Sequence, residues 1–146
     1  MTKIILWDLD GTLSNCSHRV QFAQVQPPNW DAFNAGCFAD PPHADIVWLN
    51  QLFAKEGCTC LITSARSDGH EKATVAWLDE NQVQYKKLYM RKEGDNRSDY
   101  AVKTDILEQI RKEYGEPYMA VDDRDAAVKA WRDAGIRVLQ VAYGDF

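Results

Sequence analysis

The hydrophobic pattern opens with a short unbroken run, Ile4-Ile5-Leu6-Trp7, that meets its first acid at Asp8. A run this short, without polar alternation, predicts a strand buried on both faces, as in a parallel sheet. Residues 45–56 place Ile46, Leu49 and Phe53 on one helical face and stop at Gly57, the pattern of a helix with a glycine terminator. Residues 59–64 predict a second buried strand, and 69–81 a helix with Ala73, Ala76 and Trp77 inward. A strand is expected over 84–90, and then a helix over 99–114 with Val102, Ile106, Ile110 and Tyr114 at four-residue steps. The pattern closes with a strand at 118–121, a helix at 124–134 ended by Gly135, and a strand at 137–141. Strands alternating with helices imply right-handed crossovers and a three-layer α/β/α, Rossmann-like parallel sheet.

One stretch breaks this rhythm. Residues 14–43 lack periodicity and carry Pro27-Pro28 and Pro41-Pro42, with Trp30, Phe33 and Phe38 between the proline pairs. Irregular segments of this length are functional covers or disordered, and the aromatics favour an ordered small cap inserted after the first strand. Those aromatics either seal the insert onto the domain or stack on a ligand.

Composition narrows the function classes. A chain of 146 residues is expected to form one domain, 1–146, with a real core. With no apolar run of about 18 residues, no membrane span is expected. The N-terminus lacks a signal-peptide pattern, so a cytoplasmic setting is expected. The net charge of −5 argues against a protein that coats nucleic acid, which needs many phosphate contacts; it leaves room for recognition of one phosphate end. Cys16, Cys37, Cys58 and Cys60 include no Cys-x-x-Cys pair, and reduced structural thiols are expected. Neither they nor His18 and His43 follow a usual zinc-ligand spacing.

Chemistry enters at the end of the first strand. Alternation puts Asp8 and Asp10 on the same side, and Gly11 permits a sharp exit. Two acids at the end of a buried strand are costly unless a cation or a proton holds them there. The alternative is a pair of aspartates merely closing a turn. In a parallel sheet the ligand site lies outside the carboxyl ends of the strands. Two further ends carry chemistry, Thr63-Ser64-Ala65-Arg66 and Asp122-Asp123-Arg124, and the helix over 99–114 brings Asp99 and Lys103 on one face. Together these are parts for phosphoryl transfer. Asp8, Asp122 and Asp123 are hard oxygen donors suited to Mg²⁺, and Asp8 is placed to attack phosphorus and form an aspartyl-phosphate. Asp10 would protonate the leaving oxygen and later deprotonate water, with its pKa raised by neighbouring negative charge. Ser64, the amide after Asp10 and the Lys103 ammonium would stabilise the transferring group. A non-catalytic binding module gives no reason for so much mutual charge.

In Asp8-Leu9-Asp10-Gly11-Thr12, Ser64, Lys103 and Asp122-Asp123, taken in order, the chain resembles the haloacid dehalogenase superfamily of phosphohydrolases; one departure is Ala65, where a glycine commonly follows. Residues 91–99 with Val102-Lys103, the stretch 120–124, Trp131-Arg132 and the ending 141–146 look like the 3′-phosphatase domain of bacteriophage polynucleotide kinase-phosphatase. That resemblance implies a bacteriophage origin and action in the host cytoplasm. It adds Arg19, Arg66 and Asp99 to the site, with Thr12 and Ser64, as phosphate- or substrate-binding residues. Asp99 would orient Lys103, and the Asp10 backbone carbonyl would join the Mg²⁺ ligands. The implied substrate is a 3′-phosphorylated DNA or RNA end; a free nucleotide or another small phosphate ester is the alternative. No Gly-x-x-x-x-Gly-Lys-[Ser/Thr] loop is present, so no use of ATP is expected. The charged loop 91–97, with Arg19 and Arg66, would take the strand backbone, or the loop is simply a solvated turn.

Overall fold

The computed structural model describes residues 2–146. Five strands, β1 (Ile4–Trp7), β2 (Thr59–Ser67), β3 (Lys87–Arg91), β4 (Met119–Asp122) and β5 (Val138–Gln140), form one sheet in the order β3-β2-β1-β4-β5. Every pairing is parallel. The helices of the sheet are α3 (Ala44–Lys55), α4 (Glu71–Glu80), α5 (Asp99–Glu113) and α6 (Asp125–Asp133). The expected three-layer α/β/α architecture is present.

Alternation along β1 divides the core. Ile4 and Leu6 join Leu61, Val102, Ile106, Ile110 and Trp131 on the α5/α6 face. Ile5 and Trp7 join Val47, Ile62, Trp77 and Leu78 on the α3/α4 face. Successive strand residues point to opposite faces, so a strand between two helix layers must be apolar at every position. The chain builds β1, β2 and β3 in one direction and then returns to the other side of β1 for β4 and β5. The carboxyl ends of β1 and β4 therefore flank a topological switch point, where open α/β sheets bind ligands.

Several expected boundaries move. The stretch before β3 is shorter in the sheet than predicted, because Gln84 pairs its backbone with the Asn50 side chain instead of a strand (3.0 and 2.8 Å). β2 runs on to Ser67 across a register shift after Thr63. On α4, Thr74, Trp77 and Leu78 are buried and Ala76 is exposed. Tyr114 caps α5 and stays 39% exposed, outside the apolar stripe.

Residues 14–43 hold two short helices, α1 (Val20–Gln24) and α2 (Trp30–Ala35), with 3₁₀ turns at Ser17–Arg19 and Cys37–Ala39. Helices this short show too few turns for a periodic signal. The insert is pinned from within: Asn15 N–H donates to Pro41 O, and His43 N–H to Leu13 O (both 2.8 Å). Phe33 and Cys37 are buried, while Phe38 is 53% exposed.

Candidate active site

The end of β1 is locked to β4 by the Asp8 N–H, which donates to Val121 O at 2.9 Å. Asp8, Asp122 and Asp123 are buried, and each offers an oxygen within 4.8 Å of the others. Lys103, on the second turn of α5 and 1% exposed, reaches this cluster from the helix layer. Its ammonium donates to Asp8 Oδ1 (2.9 Å), Thr63 O (2.6 Å) and Asp122 Oδ2 (3.3 Å). Thr12 Oγ1 donates toward Asp8 Oδ2 (3.0 Å) and lies 3.3 Å from Asp123 Oδ1. Trp131 Nε1 donates to Asp122 Oδ2 (3.0 Å), while Asp122 Oδ1 accepts from the Asp123 amide (2.8 Å). Gly11 has φ +85°, and a Cβ there would run into the Asp123 carboxylate. Glycine is required twice over, by conformation and by space.

Three carboxylates facing one ammonium leave this floor short of positive charge. Burial, then the charge of Asp122, pushes the Asp8 carboxyl well above the usual range, and Lys103 only partly offsets this. Burial is also the main cause that lifts Asp123 to about 6. Burial would lower the Lys103 pKa, but Asp122 and Asp8 outweigh it and hold the proton more tightly than in water. An all-oxygen, carboxylate-rich donor set with excess negative charge fits a hard divalent ion such as Mg²⁺.

Asp10 sits in a different setting. Arg66 Nη2 (2.5 Å) and Arg19 Nη2 (2.6 Å) both donate to its Oδ1, and Arg66 Nε donates to its Oδ2 (3.3 Å). Arg19 also donates to both oxygens of Asp40 (2.8 and 2.5 Å) and to Phe33 O (2.5 Å). Asp40, at the end of the insert, is buried and also meets His18 Nε2 at 2.6 Å. Burial would raise the Asp10 pKa, but the charges and hydrogen bonds of Arg66 and Arg19 together outweigh it and hold the carboxyl at about 2. This corrects the expectation of a raised pKa. The guanidiniums that outweigh burial come from positions 9 and 56 residues away.

Two further expectations change. Arg19 is 1% exposed, with every nitrogen engaged by Asp10, Asp40 or Phe33 O; it braces Asp10 and lies behind the surface a phosphate would reach. Asp99 makes no hydrogen bond to Lys103. Its Oδ1 accepts from Arg91 Nη2 (2.9 Å) and its Oδ2 from Arg124 Nη1 (2.6 Å), so it ties the ends of β3 and β4 to the start of α5 and acts on Lys103 only through its charge. Ser64 is buried and its Oγ accepts from the Arg66 amide at 3.1 Å. Asp40 was outside the expected set. Its only sequence signal is an acid just before Pro41-Pro42 in an aperiodic stretch.

Above these clusters opens a cleft of about 690 Å³. Asp8, Asp10, Lys103, Asp122 and Asp123 form part of its lining, with Arg66 beside them. The insert supplies Pro27, Pro28, Trp30 and Phe33, and the loop after β3 supplies residues 92–98. Thr12, Arg19 and Ser64 lie behind this surface, outside the lining.

A family model described as the polynucleotide kinase PNKP phosphatase domain matches residues 2–146. The chain belongs to that family. It is a PNKP-type phosphatase domain, and so a phosphohydrolase of the haloacid dehalogenase kind. Among solved structures it is similar to a chain of the Pnkp1/Rnl/Hen1 RNA repair complex, with TM-score 0.86 and 24% identity over 100% of this chain and 44% of that one. A second Pnkp1/Rnl/Hen1 structure gives TM-score 0.82 and 24% identity over 100% of this chain and 48% of that one. This phosphatase domain thus spans about half the length of those chains. A haloacid dehalogenase-like hydrolase from Streptococcus pneumoniae superposes with TM-score 0.70 at 14% identity, covering 98% of this chain and 86% of the other. At such identities the likeness speaks for the fold. Among the described residues, no helix is long and apolar enough to cross a membrane.

Proposed function

We propose that this domain is a Mg²⁺-dependent phosphatase that removes the 3′-phosphate from polynucleotide ends through an aspartyl-phosphate. The observation that carries the reaction type is the setting of Asp8: a buried carboxylate opening on the cleft, held by Lys103 on one oxygen and Thr12 on the other. Asp8, Asp122, Asp123 and the Asp10 backbone carbonyl would hold Mg²⁺, which supplies charge neutralisation for an anionic substrate meeting an anionic nucleophile. Asp8 attacks phosphorus and the ester oxygen leaves as the alcohol. Water then cleaves the acyl phosphate, returning free Asp8 and inorganic phosphate. Lys103 keeps Asp8 aimed and remains charged throughout.

Asp10 serves both half-reactions. Clamped at about 2 by Arg66 and Arg19, it is a carboxylate, the form that deprotonates the hydrolytic water. Protonating the leaving oxygen needs the acid form, so Asp10 takes up a proton from solvent, gives it to the leaving alcohol, takes one from the hydrolytic water and returns it to solvent. The arriving phosphate draws Arg66, which borders the cleft, away from Asp10, while Arg19 is fixed by Asp40. Ser64 supports Arg66 through its amide.

Family membership favours a polynucleotide end over a small ester. The experiment is a comparison of turnover on a 3′-phosphorylated oligonucleotide, a 3′-mononucleotide and a 5′-mononucleotide, with and without EDTA. The oligonucleotide should be preferred and EDTA should silence all three reversibly. Preference for the 5′-mononucleotide would reject the polynucleotide reading, and EDTA-resistant turnover would reject the metal.

A further inference from the structure

Six cations border the cleft: Arg66, Arg91, Lys92, Arg97, Lys103 and Arg124. Five of them already face carboxylates. Arg66 is on Asp10, Arg91 and Arg124 on Asp99, Arg97 on Asp95 and Asp105, and Lys103 on Asp8 and Asp122. Lys92 is exposed, and among the described residues its ammonium has no ion pair or hydrogen-bond partner. Asp31 and Glu93 also border the cleft, so its walls have no broad positive field. An upstream phosphate must find one specific free cation.

The insert offers the complementary surface. Trp30 borders the cleft and is 43% exposed. Its ring is fixed edge-on against Phe33 (centroids 5.7 Å apart, 88° between planes), and Phe33 is itself buried under the Arg19 guanidinium at 4.4 Å. The Arg124 guanidinium lies 5.7 Å from the Trp30 ring centroid. A large aromatic surface held rigid from behind and open to a phosphate-chemistry cleft is what base stacking uses, since every base has a π-face. Of the four aromatics in the insert, Phe33 is buried, and Phe22 and Phe38 lie outside the cleft lining. Only Trp30 combines exposure with position.

We infer that Trp30 and Lys92 form a terminal-nucleotide subsite, in which Trp30 stacks the base of the 3′-phosphorylated nucleotide and Lys92 takes the phosphodiester on its 5′ side. This rests on the polynucleotide reading above and refines it. The minimal good substrate is then a nucleoside carrying phosphate on both sides, and the sugar identity is not read by either contact.

The test is steady-state kinetics on a nucleoside 3′,5′-bisphosphate, a nucleoside 3′-monophosphate, a 5′-mononucleotide, a 3′-phosphorylated oligonucleotide and the same oligonucleotide with an abasic 3′-terminal residue. In the wild type, kcat/KM for the bisphosphate should exceed that for the monophosphate by about tenfold. Lys92→Gln should erase this ratio and flatten the log–log salt dependence on the oligonucleotide by about 0.7, one single-strand phosphate contact. Trp30→Ala should cost roughly 10- to 100-fold more on the normal oligonucleotide than on the abasic one, the scale of one stacked base, with Trp30→Phe restoring most of the loss. A bisphosphate ratio that survives Lys92→Gln, or a Trp30→Ala loss equal on both oligonucleotides, would overturn the subsite. Wild-type preference for a 5′-mononucleotide would overturn the underlying reading, whereas preference for 3′-ends with ratios unmoved by the variants would overturn the subsite alone.

Discussion

The cleft rests on two buried clusters of charge that differ in one respect. The floor, at the ends of β1 and β4, sets Asp8, Asp122 and Asp123 against a single Lys103. The second cluster, where the insert meets β2, sets Asp10 and Asp40 against Arg19 and Arg66 and is balanced within itself. The pKa directions follow. Asp8 and Asp123 are pushed up, while Asp10 is held down at about 2. Buried charge persists only when compensated. The balanced cluster is compensated within the chain, and its Arg19–Asp40 pair can act as a brace behind Asp10. The floor needs positive charge from outside the chain, and that is what a catalytic metal would bring.

Breaking each cluster should therefore have different consequences. The largest effect is expected for Asp8→Asn, which removes the nucleophile but relieves the floor of one charge. Turnover should fall on the order of 10⁴-fold or more while the melting temperature in EDTA stays level or rises, measured by single-turnover kinetics and calorimetry. Next comes Asp40→Asn, which removes one of the two buried carboxylates that hold the Arg19 guanidinium. Removing one member of a buried ion pair costs about 3–5 kcal/mol, so urea denaturation should show a large loss of stability, in contrast to the floor variant. A fully active and equally stable Asp40→Asn protein would dissolve the idea of a brace.

The smallest effect is in pH. For Asp123 the folded pKa, about 6, lies above the ordinary 3.8. Its stabilising contribution is complete below 3.8 and is lost as pH rises through 6. For Asp10 the folded pKa, about 2, lies below 3.8, so its contribution is complete above 3.8 and is lost as pH falls through 2. Melting temperatures of the metal-free protein should thus fall on both sides, with Asp123→Asn flattening the upper limb and Asp10→Asn the lower. A single slope affected equally by both variants would show that the clusters are not distinct.

Much of the floor was legible in the sequence because parallel-sheet chemistry gathers at strand ends. Apolar runs that stop at Asp8, at Thr63-Ser64 and at Asp122-Asp123 announce both the strands and the rim they share. The brace was not legible in the same way. Arg19 and Asp40 lie in short helices and turns without periodicity, and their pairing with Asp10 and Arg66 exists only in three dimensions. The sign of the Asp10 shift was missed for that reason: the sequence places acids beside it, and the fold places guanidiniums. Asp99 shows the same limit, since its four-residue spacing to Lys103 suggests a pair while Arg91 and Arg124 claim its oxygens.

The central proposal is that the carboxylate floor binds a hard divalent cation, and its most direct measurement is the melting temperature in EDTA against saturating Mg²⁺. Wild type should gain stability with Mg²⁺, by about 2.7 kcal/mol at a hundredfold excess over Kd, and Asp123→Asn should lose most of that gain. A wild-type melting temperature indifferent to Mg²⁺, together with undiminished hydrolysis in EDTA, would contradict the account.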